Sequence, residues 1–288
     1  MTPQSRARLA LSLAAEPGDQ RILERVAAHG VEGVAGRLRD ADLDRKVDDA
    51  LARGAAAGLR WVVPGDTQWP DALDDLDHVE PLQGSVGAPW GLWVRGAGRL
   101  DELARSALSV VGARSCSTYG ADVAGELAAD VADAGLTVVS GAAYGIDACA
   151  HRGALALGRP TVAVLACGAD RAYPVAHTQL LERIVAEGGL VVSEQAPGAT
   201  PLKHRFLSRN RIIAALGQGT VVVEAARRSG SLNTLHWADL LGRATMALPG
   251  PVTSRRSDGS HAAVRAGKAV LVTSGAEVVG ELGLTPPR

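Results

Sequence analysis

Aromatic side chains are scarce in this chain, 3% of 288 residues with a single phenylalanine, so aliphatic groups have to fill the core. A ring that falls on a loop then needs a reason other than packing. Cysteine is scarce too: Cys116, Cys149 and Cys167 are odd in number and lack CxxC spacing. That excludes a disulfide framework or a cysteine-rich zinc module, and implies reduced thiols, a cytoplasmic setting and no metal. No apolar run approaches the ~20 residues of a membrane span, and "MTPQSRARLALSLAAEPGD" lacks the cleavage site of a secretory leader. Neither anchor nor leader is expected. An excess of one charge is missing as well, since 30 basic against 31 acidic residues leave a net charge of −1. With no global field to attract a polyanion, an anion site must be a local cluster.

What is present is a 47% hydrophobic content, enough for one large domain and a small one beside it. Up to about residue 57 the sequence reads as short helices, "PQSRARLALSLAA", "DQRILERVAAHG", "VEGVAGRLRD" and "DLDRKVDDALARG", with apolar residues three and four apart. Residues 1–60 are assigned to this helical module, and 61–98 to a Pro-, Gly- and Trp-rich linker carrying one or two short strands, the first of the sheet domain that follows. Over 99–288, β-branched runs ("LSVVG", "LTVVSG", "TVAVLACG", "LVVSE", "TVVVEA", "ATMALPG", "AVLVTSG") alternate with amphipathic helical stretches. Continuous apolar strands separated by helices predict an α/β domain, a doubly wound, Rossmann-like, mostly parallel sheet covered on both faces. Ligands of such sheets bind beyond the carboxyl ends of the strands, where the chemically distinctive residues of this chain fall.

The first such end is "SVVGARSCSTYG". Gly112 allows a tight turn, and Arg114, with Ser115 beside it, adds a cationic fork at the start of the next helix, a setting for phosphate. A nicotinamide site needs more glycine here and a carboxylate at the end of the second strand. That strand ends instead in Ser140 and Gly141, which argues against a dehydrogenase. In "SGAAYGIDACAH", Gly141 and Gly145 bracket a close-approach turn and Ser140 can bond an anion. Asp147 reads as a partner of the helix dipole and His151 as a packed histidine. In "ACGADRAYPVAH", Gly168 closes a strand and Arg171 is a candidate phosphate contact.

Basic residues concentrate at Lys203, Arg205, Arg209, Arg211, Arg227 and Arg228, against the single acid Glu224. "FLSRNRIIAAL" reads as a helix that buries Ile212, Ile213 and Leu216. At ~100° per residue Arg209 and Arg211 cannot point the same way, so one faces the site and the other a carboxylate or solvent. Asn210 offers donor and acceptor together, and Ser229-Gly230-Ser231 makes a second anion nest at a helix start. Glu224 is expected to pair with one of the arginines. Tyr119, Tyr144, Tyr173 and Phe206 all lie in these loops. Arginines, anion turns and rings interleaved in this way compose a single-stranded nucleic-acid groove, with Phe206 the first candidate to stack a base. No nucleophile or metal stands beside Asp147 or His151 to make a catalytic pair.

The stretches "VVGARSCSTYG", "VVSGAAYGIDACAHRGAL", "FLSRNRIIAAL", "VVVEA", "RSGSLNT" and "GRATMALPG", in this order, resemble the DNA-processing protein A family (DprA, also called Smf). The resemblance spans most of residues 88–275. It implies an extended Rossmann domain preceded by a sterile-alpha-motif-like helical domain, with single-stranded DNA held at the sheet edge. It further implies a homodimer that loads the RecA recombinase onto incoming DNA during natural transformation, with no enzymatic activity and no cofactor. The family's glycine-arginine loop falls on Gly112 to Arg114, with Arg114 the main phosphate contact. Its S-G-x-A-x-G-I-D loop falls on Ser140 to Asp147, its R-N-R on Arg209 to Arg211, and its S-G-S on Ser229 to Ser231. Many members carry a DNA-contacting lysine after the Tyr173-Pro174 pair, where this chain has Val175, so that contact is lost or passes to Arg171 or Lys203. The chain also reads "SDGSH", with His261 at the amide position, where members often have S-x-G-C-N, and its end "LGLTPPR" implies no appended winged helix. The alternative from another class is a nucleotide phosphoribohydrolase of the lysine-decarboxylase-like group. That group carries P-G-G-x-G-T where this chain reads "RSGSLNT".

Overall fold

A computed structural model describes residues 1–284; the end of the "LGLTPPR" stretch lies outside the described residues. Helix α1 (Pro3–Ala14) starts where Thr2 accepts the Ser5 N–H and Pro3 occupies the first turn, a position that needs no amide donor. Helices α2 (Gln20–Leu38) and α3 (Ala41–Ala56) start on Asp19 and Asp40, which accept from the Arg21 and Leu43 N–H groups. Gly30, at φ +70°, divides α2 into the two helices that the sequence pattern separates. These helices share their core with the sheet: Leu9, Val47 and Ala50 pack in one cluster with Leu59, Trp93 and Val191. Gly54 lets α3 lie on Trp93, since a Cβ there would come within 2.3 Å of the indole.

The described residues form one sheet of nine strands in the order β1-β2-β6-β5-β4-β3-β7-β8-β9. Strands β1 (Leu59–Val62) and β2 (Leu92–Arg95) pair antiparallel, and β2 pairs antiparallel with β6 (Leu190–Ser193). The Trp-rich connection therefore contributes the first two strands of the sheet. The remaining strands, β3 (Ala107–Val111), β4 (Thr137–Ser140), β5 (Thr161–Leu165), β7 (Gly219–Val222), β8 (Ala244–Ala247) and β9 (Val270–Leu271), are parallel to one another and to β6. All five residues of β3 are buried, as a strand covered on both faces requires.

Alternate residues of β3 supply the two cores. Leu108 and Val110 pack with α5 (Thr118–Asp133) and α6 (Ile146–Ala156) through Leu127, Val131 and Ile146. Ala107 and Val111 face α8 (Lys203–Leu216) and α9 (Ser231–Leu240) through Ile212, Ile213 and Trp237. Burial of each isoleucine contributes about 1.5–3 kcal/mol and fixes the rotation of α8. Ser109, the polar residue of β3, donates to the Ile213 carbonyl at 2.7 Å, which pins α8 to the strand. From β3, reached through α4 (Leu100–Arg105), the chain builds outward through β4, β5 and, after α7 (Thr178–Ala186), β6, then crosses back to β7 on the other side of β3. Connections leaving β3 and β7 thus diverge, which opens a crevice at their carboxyl ends.

Candidate nucleic-acid interface

The β3–α5 loop forms one lip of that crevice. Gly112 is required by packing: a Cβ there would lie 2.6 Å from Ile146 and 3.0 Å from the Glu224 carbonyl. Glu224, at the end of β7, is buried and accepts from the Ser117 N–H and hydroxyl, at 2.9 and 2.5 Å. It thereby holds the N-terminus of α5, where Ser117 in turn caps the Gly120 amide, and among the described residues it forms no ion pair with an arginine. The expectation of an arginine partner fails because the two donors of Ser117 at the α5 start converge on the carboxylate, while Arg227 and Arg228 lie beyond it on an exposed loop. Arg114 is exposed, and its guanidinium stands 4.6 Å above the Phe206 ring, whose centroid is 5.6 Å from that of Tyr173. Such a cation–ring contact contributes about 0.5–2 kcal/mol and holds the arginine over the crevice.

The β4–α6 loop lies beneath this lip. Gly145, at φ +76°, brings its backbone against the first loop, where a Cβ would meet the Ala113 carbonyl at 2.3 Å. Gly141 serves Arg209: an added Cβ would sit 1.5 Å from Nη1 of that guanidinium. Ser140 is buried and donates to the Val110 carbonyl at 2.6 Å, so its hydroxyl is spent inside the sheet. These three residues build the floor rather than touch what lies above it.

Arg209 rises from α8 through that floor. It is 6% exposed, and its Nε has no hydrogen-bond partner among the described residues. Burial lowers its pKa to about 10; Asp147 opposes the fall and Arg114 adds to it, so the group remains cationic at neutral pH. Asp147 is buried beside it and accepts the Ala143 N–H at 3.3 Å. Burial pushes the Asp147 carboxyl above its ordinary range, with Arg209 the largest opposing influence. A guanidinium so placed is a fixed positive charge of weak local compensation, held where the dielectric is low.

Arg211 points the other way. It is 1% exposed, donates from Nη1 to Glu194 at 2.8 Å and from Nε to the Gly87 carbonyl at 2.9 Å, and is no part of the crevice wall. The roughly 200° between residues two apart on a helix separates its role from that of Arg209. Asn210 donates to the Gly230 carbonyl at 3.1 Å and to Asn233 at 3.2 Å, which ties α8 to the β7–α9 turn. In that turn the Ser229 and Ser231 hydroxyls bond each other at 2.7 Å beside the exposed Gly230.

Together these loops enclose an open cleft of about 1060 Å³. Gly112, Arg114, Ser115, Lys203, Phe206, Arg209 and Asn210 line it together with Ser229, Gly230 and Ser231. Arg171 stays outside, exposed and donating to the Gly198 carbonyl at 3.1 Å. Tyr119 donates to the Pro249 carbonyl and Tyr144 packs edge-on against His177, so of the loop aromatics only Tyr173 and Phe206 reach the cleft. His151 is fully buried against Thr161 Oγ1 at 2.8 Å, and burial pushes its pKa down to about 3, as suits a packed neutral ring. Sequence reasoning missed Arg255 and Arg256 of the β8–α10 loop, which also line the cleft with Arg228; helix α10 spans Asp258–Arg265. Their signal was legible, a dibasic pair just after another parallel strand. Among the described residues no group of three His, Cys, Asp or Glu side chains could hold a metal ion, and no helix is long and apolar enough to cross a membrane.

A family model described as DNA recombination-mediator protein A matches residues 60–283, all of the sheet but Leu59 and every loop of the cleft. This chain belongs to that family. It is 42% identical over 308 residues to a DprA-type DNA processing protein of Mycobacterium tuberculosis, in an alignment covering 99% of this chain and 78% of the relative. Among solved structures it is similar to the DNA processing protein A of Streptococcus pneumoniae, with a TM-score of 0.76, 33% identity and 98% of each chain covered. It is also similar to the DNA processing protein A of Helicobacter pylori, whose structure was described for its single-stranded DNA binding mode. There the TM-score is 0.66 and the identity 25%, over 78% of this chain and 97% of that one. The DprA fold thus accounts for the nine-stranded sheet, its antiparallel edge included.

Proposed function

We propose that this chain is a non-enzymatic mediator that binds single-stranded DNA in the cleft and helps to load RecA onto it during natural transformation, in the cytoplasm and as a homodimer. In this reading residues 1–60 are a helical domain docked on the sheet, 61–98 its extension, and 99–288 the DNA-binding domain. Arg114 and Arg209 take successive phosphates, Lys203 and the 229–231 turn flank them, and Phe206 with Tyr173 offers a platform for bases. The observation that carries the reading is Arg209, a buried cation aimed into a cleft whose remaining wall is arginine, ring and small-residue turn. Membership of the family and the single-stranded DNA bound by the Helicobacter pylori relative support it.

The test is a titration of labelled oligothymidylate against the wild type and Arg114→Ala at two salt concentrations. Wild-type affinity is expected to fall steeply with salt, and the variant to bind more weakly with a slope smaller by about 0.7. Equal, salt-insensitive affinities, or a preference for duplex, would overturn it. RecA filament assembly on protein-coated single strands, with and without this chain, tests the loading step, and sedimentation tests the dimer. Release of base from a nucleoside monophosphate would favour the phosphoribohydrolase instead.

A further inference from the structure

The crevice does not end at the β7–α9 turn. Beyond β8 the chain runs Pro249-Gly250-Pro251-Val252 and reaches Ser254, Arg255 and Arg256 before α10. Four contacts fix this loop: the Tyr119 hydroxyl donates to the Pro249 carbonyl at 2.7 Å, and the Gly250 N–H to His261 Nε2 at 3.3 Å. Arg256 Nε donates to the Ser115 carbonyl at 2.6 Å, and the Gly259 N–H to the Ala225 carbonyl at 2.7 Å. The loop is therefore built into the sheet edge, and it meets the Arg114 loop directly through Arg256. Arg255 lines the cleft together with Arg228 of the β7–α9 loop, and both are exposed. Neither takes part in an ion pair among the described residues, whereas Arg205 and Arg211 of the same basic region are paired with Glu16 and Glu194.

We infer that Arg228, Arg255 and Arg256 form a second phosphate-binding segment, over which a single strand leaving the Arg114–Arg209 pocket continues. This rests on the single-strand reading of the cleft and gives it a length. Solvent-exposed cations, one of them held at a backbone carbonyl, suit a strand that passes over them, since the loop has no ring to stack a base. Arg256 joins the two segments, because its Nε is held at Ser115, next to Arg114, while its terminal nitrogens remain for phosphate.

The experiment compares the wild type with an Arg228→Ala/Arg255→Ala double variant on a ladder of labelled oligothymidylates, about 4 to 16 nucleotides long, the span of single-strand site sizes. The inference expects wild-type affinity to rise in two stages along the ladder. The double variant should lose affinity only as the oligomer grows past the first stage, its salt slope falling there by about 1.4, two single-strand contacts' worth. Arg255→Lys combined with Arg228→Ala should restore part of the slope that the double alanine variant loses, since charge without the fork still meets a phosphate. Equal losses at every length, or a wild-type slope retained on the longest oligomer, overturn the second segment and leave the pocket standing. Failure of the wild type to bind any oligomer overturns the single-strand reading itself.

Discussion

Adding one methyl group at Gly141 separates what the cleft does from what merely surrounds it. In Gly141→Ala the new Cβ would fall 1.5 Å from Nη1, 2.4 Å from Cζ and 2.6 Å from Nη2 of Arg209, so the guanidinium plane has to leave its bed. Gly141 is not among the positive-φ glycines, so alanine costs nothing extra in the backbone. Because the obstructed atoms are the end of a flexible side chain and the cleft lies beside them, Arg209 can swing outward. The stability loss is expected near the low end of overpacking, about 1 kcal/mol. For a chain of this size that lowers the melting temperature by roughly 2–4 °C. Binding should suffer more. A hydrogen bond to a charged partner is worth about 1.5–3 kcal/mol, so loss of the Arg209–phosphate contact weakens single-strand affinity about 10- to 150-fold.

The decisive measurement is a double-mutant cycle with Arg209→Ala, read by fluorescence anisotropy with labelled oligothymidylate below the melting temperature of all four proteins. Once Arg209 is gone, the alanine at 141 has nothing to displace, so Gly141→Ala/Arg209→Ala should bind no worse than Arg209→Ala alone. The coupling energy then equals nearly the whole effect of the glycine substitution. If the two effects add, or if Gly141→Ala binds like the wild type, the placement of Arg209 as a phosphate ligand held by Gly141 is wrong.

Four further outcomes are expected. Glu194→Ala leaves the buried Arg211 without its carboxylate and should cost about 3–5 kcal/mol, seen as a large drop in the thermal midpoint; a midpoint within a degree of wild type would refute the structural role of the pair. His151, with its folded pKa near 3 against 6.5, binds fewer protons folded than unfolded, so its contribution is complete above 6.5 and is lost as pH falls toward 3. Urea unfolding across that window should therefore show a shallower loss of stability in His151→Phe than in wild type, and parallel curves would refute it. Asp147 is raised instead, so its burial costs stability as pH climbs through the carboxylate range. Asp147→Asn should gain on the wild type with rising pH, whereas a constant difference would contradict the burial argument. Val175 is 77% exposed at the position where many relatives have lysine, and Val175→Lys should raise the salt slope by about 0.7 if a strand passes there.

The fold was legible because a strand covered on both faces has no polar side to hide. The runs "LSVV", "TVVS" and "TVAVL" are apolar or hydroxylated throughout, and the Ser109, Ser140 and Thr161 hydroxyls donate to carbonyls of a neighbouring strand or helix. The strands β1 and β2 were read as short first strands of the sheet domain, but not their antiparallel pairing, since β6, on which β2 docks, lies about a hundred residues on and nothing local announces the contact. Glycines were the least readable class. Gly112, Gly141 and Gly145 carry the signature of backbone approach to a ligand, yet each makes room for part of the protein itself, and only the position of a missing Cβ tells the two uses apart.

The basic cluster shows why sequence density overstates a site. Of its six cations, Arg205 is drawn to Glu16 at the end of the first helix, and Arg211 to Glu194 after β6. Arg227 turns to a separate hollow lined by Asp258 and His261. Lys203, Arg209 and Arg228 remain in the cleft, joined by Arg114, Arg255 and Arg256 from loops about 90 residues before and 40 after α8. The count of charges survives while their membership changes, because a doubly wound sheet gathers one loop from each strand end, whatever the distance between them along the chain. A groove made in this way draws its cations from several connections, which allows the strand path to be longer than any single motif suggests.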